Sequence, residues 1–461
     1  MAPPEPSESG AAEADSQLAR SIWLQHGEAL SSASCLLLAF SGGLDSTVLL
    51  SLLCELRDSG LLGVPLEAVH VNHGLQTEAA AWEAHCRQVC ETLRIPFHVR
   101  RVKVDSSAAG SGLEAAAREA RYAVFRDLLP EAGLLLQGHH LDDQSETLLL
   151  HLLRGSGARG LAGIPVSRAL GRGHVLRPLL HSERSSLLSH AQARSLVWID
   201  DPSNADPVFD RNYLRQSVLP LLKQRWPAVL DNVARSARLF TETEQLLEEC
   251  AALDLQTVAG STPWRLALAP LQGLPEARQR NVLRYWIRSL CGEGGASMPF
   301  RLLHSGLAML LTARSDGVPA LAWGRAGKRL ELRRFQGELY LLRALPEPMP
   351  FVFDWQGGGV LRLPAGFGSL HLVAEPGDTP VDLQLQVRLR RGGEVMRVPG
   401  RGTKTLKNLL QEHRVPPWLR ERIPLVFDKD ELLVVPGIAC SEHWEERAGD
   451  RNIRIVWQQA D

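Results

Sequence analysis

The six residues from Ser41 to Ser46, Ser-Gly-Gly-Leu-Asp-Ser, are suited to binding a phosphate. An apolar run at 35–40 precedes them and a leucine-rich helical pattern at 47–53 follows, which predicts a strand, a glycine turn and a helix start. Such a turn directs free backbone N–H groups and the positive end of the helix to one point. Gly42 and Gly43 let the backbone approach an oxyanion closely, and Ser41 and Ser46 add hydroxyl donors. Asp45 alone would repel phosphate, so its presence indicates a nearby Mg²⁺.

This loop is not the Walker loop, because no Gly-Lys-Ser/Thr follows at the required distance. It resembles the pyrophosphate loop of the ATP pyrophosphatases, which implies cleavage of ATP between the α- and β-phosphates and transfer of AMP. An ordinary glycine turn before a helix is the alternative. The strand before the loop and the helix after it favour the phosphate site.

A second polar cluster lies at 138–147, where the fourth predicted strand becomes a helix, and it holds two histidines and three carboxylates. Helical spacing puts Asp142 and Asp143 on the same face as Glu146. Acidic residues also cap helices, but capping needs one carboxylate rather than three. We therefore expect this cluster to hold Mg²⁺ and to bind a cationic substrate.

Two other places offer weaker signals. The second strand ends in His70 and Asn72, which would lie near a nucleotide or would simply form a polar strand end that turns at Gly74. Arg118 and Arg121 lie on adjacent turns of a predicted helix, where either could reach a phosphate or form a surface salt bridge.

The cysteines do not indicate a metal centre. Cys86 and Cys90 are four residues apart on a predicted helix, without a CxxC motif or a partnering cluster, so core positions are favoured over zinc or iron–sulfur ligation. The seven cysteines form no framework of pairs, which is typical of a reducing compartment. With no signal peptide and no membrane-length apolar run, the sequence predicts a cytoplasmic protein.

The hydrophobic pattern predicts several domains. From about 20 to 200, strand and helix patterns alternate, which predicts a parallel sheet with helices on both faces and ligands at the carboxyl ends of the strands. Residues 216–313 are mainly helical in pattern, a hairpin is expected within 329–341, and a proline-rich linker begins near 346. A smaller β-rich domain with one helix near 403–413 follows. The expected boundaries are a disordered acidic tail at 1–18, a catalytic domain at 19–218, a helical domain at 219–345, a linker with first strands at 346–370, and a basic domain at 371–461.

The net charge of −1 hides two basic segments. Between 387 and 422 there are ten basic and three acidic residues, and a second basic run extends from Arg211 to Arg238. Such runs are usually solvated faces, but these are local enough to bind RNA phosphates. The candidate RNA contacts are Arg211, Asn212, Arg215, Arg388, Arg390, Arg391, Arg401, Lys404 and Lys407.

Three regions together resemble the tRNA(Ile)-lysidine synthetases. They are the fourth-strand segment with its continuation at 152–164, the segment at 198–220 that contains Asp200-Asp201-Pro202, and the basic segment at 390–425. The resemblance runs from about 20 to 445 in family order. It implies a doubly wound parallel α/β domain of the PP-loop, adenine nucleotide α-hydrolase-like type, a helical middle domain and a small α+β tRNA-binding domain.

The resemblance also implies a reaction. Oxygen O2 of the wobble cytidine in an isoleucine tRNA with a CAU anticodon attacks the α-phosphate of ATP and releases pyrophosphate. The amine of free L-lysine then displaces AMP from C2 and leaves lysidine. The sequence does not identify the group that deprotonates lysine, and a homodimer formed through the helical middle is an open expectation.

Site roles follow from the matching motifs. Residues 41–46 would hold the ATP phosphates, with His70 and Asn72 near the nucleotide. Asp45 and Asp143 would bind Mg²⁺ and set the reaction geometry. His139 and Arg118 would lie toward the α-phosphate, and Asp143 and Glu146 would receive lysine. The candidate RNA contacts named above would bind the tRNA.

Two other functions are weighed against this one. A tRNA thiolation enzyme with the same loop would need a catalytic cysteine or an iron–sulfur site near the strand ends, and the spacing of Cys86 and Cys90 does not suit it. A non-catalytic tRNA-binding scaffold would not need the intact loop and acidic cluster.

Overall fold

The structure is a computed structural model that describes residues 16–74, 78–103, 111–201, 206–292, 298–313, 319–324, 329–344, 347–356, 359–373, 383–448 and 453–459. The chain divides into two compact units, Met1–Leu246 and Leu247–Asp461. Within the described residues, no helix combines the length and apolarity that a membrane crossing requires.

The N-terminal unit is built on a six-stranded sheet with the order β3-β2-β1-β4-β6-β5. Five strands are parallel and β5 is antiparallel to β6. Its elements are α1 (Gln17–Ser32), β1 (Leu36–Ala39), α2 (Leu44–Asp58), β2 (Leu66–Asn72), α3 (Ala79–Thr92), β3 (Phe97–Arg101), α4 (Ser111–Leu128), β4 (Leu134–Leu136), α5 (Leu141–Leu153), α6 (Ala158–Leu161), β5 (Ser167–Leu170), β6 (Gly173–Leu176) and α7 (Arg184–Ala193).

Successive side chains of the buried strands point to opposite faces of this sheet, and helices cover both faces. Leu36 and Leu38 of β1 belong to a core cluster with residues of α1, α2, α3 and α7. Leu37 points to the other face and joins Tyr122 and Phe125 of α4. A strand whose two faces are both buried reads as a continuous apolar run, as this one does. The predicted doubly wound architecture is confirmed.

Two details differ from the sequence prediction. The predicted parallel sheet carries an antiparallel edge strand, β5, whose short and partly polar sequence did not mark it as a strand. Helix α1 begins at Gln17, inside the segment assigned to the acidic tail, because Ser16 caps it by accepting a hydrogen bond from the Ala19 N–H. The rest of that predicted tail lies outside the described residues.

A group of helices after the sheet packs against α5. It consists of α8 (Asp210–Tyr213), one π-helical segment (Leu214–Val218), α9 (Leu219–Arg225) and α10 (Val229–Val258). Leu219 and Leu230 from this group join Leu141 of α5 in a small apolar cluster. That packing brings the basic residues of 211–223 to the acidic start of α5.

The second unit combines helices with antiparallel sheets. Its first part contains β7 (Arg265–Ala267), α11 (Leu268–Gly273), α12 (Glu276–Cys291), a π-helical segment (Leu302–Gly306), α13 (Leu307–Thr312), β8 (Ala320–Trp323), β9 (Leu330–Phe335) and β10 (Glu338–Arg343). The strands pair in the order β7-β10-β9-β8, and the β9–β10 pairing confirms the predicted hairpin.

The rest of this unit is rich in strands. It contains β11 (Val352–Trp355), β12 (Val360–Arg362), β13 (Ser369–Val373), β14 (Leu385–Arg388), β15 (Val395–Val398), β16 (Gly402–Thr405), α14 (Leu406–Glu412), α15 (Pro417–Arg420), β17 (Leu425–Asp428), β18 (Glu431–Val435), β19 (Ala439–Cys440), α16 (Glu442–Ala448) and β20 (Arg454–Gln458). Helix α14 is the one that the sequence predicted. The expectation of a single helix here was wrong, because the short helices α15 and α16 are also present.

Candidate active site

The predicted phosphate loop connects β1 to α2. Gly43 is the N-cap of α2, and no side chain of the described residues caps that helix. Gly42 has a φ of 84°, in the left-handed region that glycine adopts most easily. A Cβ at Gly42 would also approach Cys86 Sγ and Ile199 Cδ1 to 2.8 Å. The loop therefore requires glycine at 42, and it leaves the first N–H groups of α2 available to an anion.

The two loop serines face each other across the turn. Ser41 Oγ lies 3.1 Å from Ser46 Oγ, and the Ser46 hydroxyl donates to the Gly43 carbonyl at 3.1 Å. Ser46 is buried and Ser41 is exposed. The pair places hydroxyl groups beside the free helix N-terminus, as the sequence predicted.

The end of β4 packs directly on this loop through Gly138. A Cβ at that position would lie 3.0 Å from the backbone carbonyl of Asp45 and 3.2 Å from the Ser46 nitrogen. The absence of a side chain at Gly138 thus permits the acidic cluster after β4 to lie against the phosphate loop.

His140 connects the phosphate loop to the acidic cluster. Its side chain is fully buried, and its Nε2 lies 3.6 Å from Asp45 Oδ2 and 3.5 Å from Asp143 Oδ2. It is also the N-cap of α5, where Nδ1 accepts from the Asp143 N–H while Asp143 Oδ2 accepts from the His140 N–H. The two carboxylates assigned to Mg²⁺ therefore contact the same ring nitrogen.

Basic residues from 211–223 neutralise the acids of α5. Arg215 donates to both oxygens of Glu146, at 2.6 and 3.0 Å, and to Asp143 Oδ1 at 3.0 Å. Arg211 donates to Thr147 Oγ1 at 2.7 Å, and its Nε lies 3.1 Å from Glu146 Oε2. Asp142 instead accepts from Lys223 at 2.6 Å and from the Arg184 N–H. Asp142 thus has a structural role, whereas Asp143 and Glu146 form the acidic centre.

The pKa values of these acids diverge. Burial would raise the pKa of Asp143, but electrostatic interactions with His140, Arg211 and Arg215 lower it below its ordinary value. Burial raises the pKa of Glu146, and Arg215 only partly opposes that rise. The site therefore holds one carboxylate that stays ionised and one that is a stronger base.

His139 has a different environment from His140. Burial, assisted by the charges of Arg177, Arg211 and Arg118 and opposed by Asp143, lowers the pKa of His139 to about 4. Its Nδ1 is buried without a hydrogen-bond partner among the described residues. A neutral imidazole at this position could accept or donate a hydrogen bond to a substrate. The guanidinium of Arg118 is exposed and lies over the Tyr122 ring, with its Cζ 5.0 Å from the centroid.

His70 and Asn72 lie at the end of β2 but make internal contacts. His70 is buried, and its Nδ1 lies 3.0 Å from the Phe40 carbonyl oxygen. Asn72 contacts Glu83 Oε2 at 3.4 Å and accepts from the Gly74 N–H at 2.8 Å. These contacts support the end of β1 and the turn at Gly74, and nucleotide contacts of either residue stay predictions.

Two of the three predicted tRNA-binding residues of 211–215, Arg211 and Arg215, lie against the acidic cluster of α5. Arg211 and Arg215 contact the acids of α5, as described above. Asn212 is buried and donates to the Asp206 carbonyl at 2.8 Å. Arg211 and Arg215 therefore have acidic partners within the N-terminal unit, and contacts of Arg211, Asn212 and Arg215 with RNA stay predictions.

The basic residues of the second unit differ in exposure. Arg388 is largely buried, with its Cζ 3.7 Å from the Phe427 ring centroid. Arg401 and Lys404 both contact Glu412, whereas Arg391 and Lys407 are exposed and Arg390 is half-buried. Arg391 and Lys407 are the better placed to reach an RNA backbone.

The described residues contain no group of three or more His, Cys, Asp or Glu side chains arranged for a metal ion. Mg²⁺, however, usually binds proteins through one or two carboxylates and keeps several waters. Asp45 Oδ1 is buried without a hydrogen-bond partner among the described residues, which fits a cation ligand. Asp143 offers its second carboxylate beside the same histidine.

Sequence reasoning did not single out His140 or Lys223. The sequence shows a histidine pair at 139–140. Which of the two contacts Asp45 and Asp143 depends on the backbone path from β4 into α5, which the sequence pattern does not define. Lys223 is 81 residues from its partner Asp142, so no local pattern could connect them.

Comparisons with known protein families first identify the class of protein to which this fold and site belong. The family model of the PP-loop domain matches residues 14–222, that of the TilS substrate binding domain 266–340, and that of the TilS substrate C-terminal domain 385–457. The catalytic unit is therefore a PP-loop domain.

The similar full-length proteins then define the family. The chain is 45% identical over 409 residues to the tRNA(Ile)-lysidine synthase of Pseudomonas aeruginosa, covering 87% of this chain and 89% of that protein. It is 44% identical over 421 residues to that of Pseudomonas putida, covering 88% and 94%. A solved U34-tRNA thiolase from Methanococcus maripaludis aligns with a TM-score of 0.41 and 17% identity over 51% of this chain and 81% of that one. The chain belongs to the tRNA(Ile)-lysidine synthase family.

Proposed function

We propose that this chain ligates free L-lysine to C2 of the wobble cytidine of an isoleucine tRNA with a CAU anticodon, with release of AMP and pyrophosphate. Its membership of the tRNA(Ile)-lysidine synthase family supports the reaction. The observation that carries the site assignment is the contact of one buried residue, His140, with both Asp45 and Asp143. His140 thereby joins the phosphate loop, which the ATP-dependent step needs, to the acidic centre, which the lysine-dependent step needs.

In the first half-reaction, cytidine O2 attacks the α-phosphate and the bond to pyrophosphate breaks. The free N–H groups at the start of α2 and the hydroxyls of Ser41 and Ser46 would hold the leaving phosphates. Asp45 and Asp143 would hold Mg²⁺, which supplies positive charge to the departing pyrophosphate. Arg118 and neutral His139 would lie toward the α-phosphate.

In the second half-reaction, the lysine side-chain amine attacks C2 and the bond to AMP breaks. That amine is mostly protonated in water near neutral pH, so it must lose a proton before it attacks. We assign Asp143 and Glu146 to lysine binding. Glu146 takes the proton, because its raised pKa makes it the stronger base of the two.

The present arrangement implies a competition for these acids. Arg215 occupies both oxygens of Glu146 and one of Asp143. An incoming ammonium group must displace or share this guanidinium. Lysine binding would then be coupled to a movement of the segment that contains α8 and the π-helical turn.

These assignments can be tested by measuring the two half-reactions separately. In the Glu146→Gln variant, pyrophosphate release that depends on tRNA should persist while transfer of labelled lysine falls by about 10²-fold or more, the usual range for loss of a general base. An exposed carboxylate on α4, changed as Glu119→Gln, serves as the control. Equal loss of both half-reactions in Glu146→Gln would contradict the assignment.

A tRNA thiolation activity is the second candidate that the sequence raised. Cys86 and Cys90 are both fully buried on α3, and burial raises the pKa of each thiol to about 12. Such thiols are poor nucleophiles and poor metal ligands. A Cys86→Ala, Cys90→Ala double variant should keep lysine transfer, and loss of all transfer in a folded protein would reopen that candidate.

The basic residues of the second unit would bind the tRNA backbone. Arg388, Arg390, Arg391, Arg401, Lys404 and Lys407 are proposed for this role, with the exposed Arg391 and Lys407 contributing most. Arg391→Glu and Lys407→Glu should each weaken tRNA binding and reduce its salt dependence by about one unit of log-log slope. An unchanged slope would remove the residue from the footprint.

A further inference from the structure

A cluster of three arginines surrounds Tyr122 at the edge of the sheet where the strands end. The Cζ atoms of Arg118 and Arg168 lie 5.0 and 4.6 Å from the Tyr122 ring centroid. Arg177 is 2% exposed and interacts with the Tyr122 hydroxyl, which also donates to Gln137 Oε1 at 3.2 Å. Three positively charged side chains from three different parts of the chain therefore surround the phenol of Tyr122.

The position of this cluster follows from the topology. Gln137 directly follows β4 and Arg177 directly follows β6, and these neighbouring strands are parallel. Arg168 lies on β5 opposite Val175 of β6, close to the same end. The cluster thus lies at the carboxyl edge, where this class of sheet binds its ligands.

The three guanidiniums are not neutralised by the described part of the chain. No carboxylate among the described residues forms an ion pair with Arg118, Arg168 or Arg177. Arg177 donates through Nη1 to the Pro165 carbonyl, but its Nε is buried without a hydrogen-bond partner. Buried donors of this kind are normally satisfied, so an orphaned guanidinium N–H indicates an acceptor that is supplied from outside.

We propose that Arg118, Arg168 and Arg177 form a second binding site for a phosphate group, separate from the loop at 41–46. Planar guanidiniums are well matched to phosphoryl oxygens, and Arg177 anchors the site because it cannot turn to solvent. The ligand is either the α-phosphate of the nucleotide, toward which Arg118 is already proposed to lie, or a phosphate of the RNA backbone beside it. The proposal rests on the proposed function, which brings both kinds of phosphate to this edge.

A spectroscopic measurement tests the site without turnover. Burial would raise the pKa of Tyr122, but the charges of Arg118 and Arg177 and the hydrogen bonds with Arg168 and Gln137 lower it to about 8. Inorganic phosphate bound among these arginines should move the Tyr122 titration upward toward its ordinary value near 10, followed at 295 nm with Tyr122→Phe as the blank. A titration that phosphate leaves unchanged overturns the proposal.

Variants of the partly exposed arginine then identify the source of the phosphate. Arg168→Gln should raise the phosphate concentration at half-saturation by about 10-fold, the value of one charged hydrogen bond. Arg172→Gln, an exposed residue of the same hairpin, is the matched control. If the KM for ATP rises by a similar factor, the bound phosphate belongs to the nucleotide. If the KM for tRNA rises instead, the bound phosphate belongs to the RNA backbone. If neither KM exceeds that of the control, the site has no part in substrate binding and the proposal fails.

Because the phosphate titration needs no catalysis, its failure is distinct from failure of the lysidine reaction. Arg177→Gln is not the primary variant, since loss of a fully buried side chain could unfold the domain.

Discussion

Arg215 donates two parallel hydrogen bonds to Glu146, from Nε to Oε1 at 2.6 Å and from Nη2 to Oε2 at 3.0 Å. Glu146 is fully buried, and the two residues are 69 positions apart in the chain. This bidentate pair fixes the segment after α8 against α5, and it compensates the charge of a buried carboxylate.

Loss of this arginine should destabilise the N-terminal unit. Arg215→Met leaves Glu146 buried without its fork partner, so the free energy of unfolding should fall by about 3 kcal/mol. Arg215→Lys should recover less than half of that loss, because an ammonium group cannot donate in parallel. Urea unfolding measures the loss, and hydrogen exchange at 210–218 assigns it to this region. Arg225→Met, at an exposed position of α9, is the control, and equal losses in the two Met variants would refute the prediction.

The depressed pKa of His139 predicts a pH dependence. The folded state holds this imidazole neutral down to about pH 4, whereas the unfolded chain protonates it near 6.5. Its contribution to stability is therefore present above pH 6.5 and is lost as pH falls toward 4, by roughly 3 kcal/mol at most.

Urea unfolding between pH 4.5 and 7.5 measures this dependence as the difference between the natural chain and His139→Gln. The stability advantage of His139 should grow as pH rises from 4.5 to 6.5 and then level off. A difference that is independent of pH would show that His139 titrates normally.

The contact of Gly138 with the phosphate loop predicts a selective effect on ATP. In Gly138→Ala the added methyl group must displace the backbone of Asp45 or Ser46, which costs about 1–3 kcal/mol. ATP binding, measured by calorimetry, should weaken by about 10-fold, whereas Gly157→Ala should have no effect because nothing lies within 4 Å of its Cβ position. Unchanged ATP affinity in Gly138→Ala would show that the loop tolerates displacement.

The parts of the site that the sequence predicted are those encoded locally. The loop at 41–46 follows from a strand, two glycines and a helix start that are contiguous in the chain. The helical spacing of Asp143 and Glu146 likewise required only the period of one helix. Topology supplied the rest, since the carboxyl ends of parallel strands meet at one edge.

The parts that the sequence did not predict depend on distant contacts. The basic run that begins at Arg211 predicts an RNA footprint, and that role stays a prediction, because sequence shows charge but not its partner. Leu219 and Leu230 pack on α5, and Arg215 of the same segment contacts Glu146; the charge pattern alone does not indicate this ion pair. The inward turn of His140 likewise depends on the exact end of β4, which hydrophobic periodicity does not define.

The central claim is that one cleft activates a cytidine with ATP and then delivers lysine to it. The direct measurement is incubation of the chain with ATP, Mg²⁺, labelled L-lysine and an isoleucine tRNA transcript that bears a CAU anticodon. The label should enter the transcript with one AMP and one pyrophosphate released per lysine, and Asp143→Ala should abolish its entry while the protein stays folded. Absence of label from the transcript with the natural chain, or near-normal incorporation by Asp143→Ala, would contradict the account.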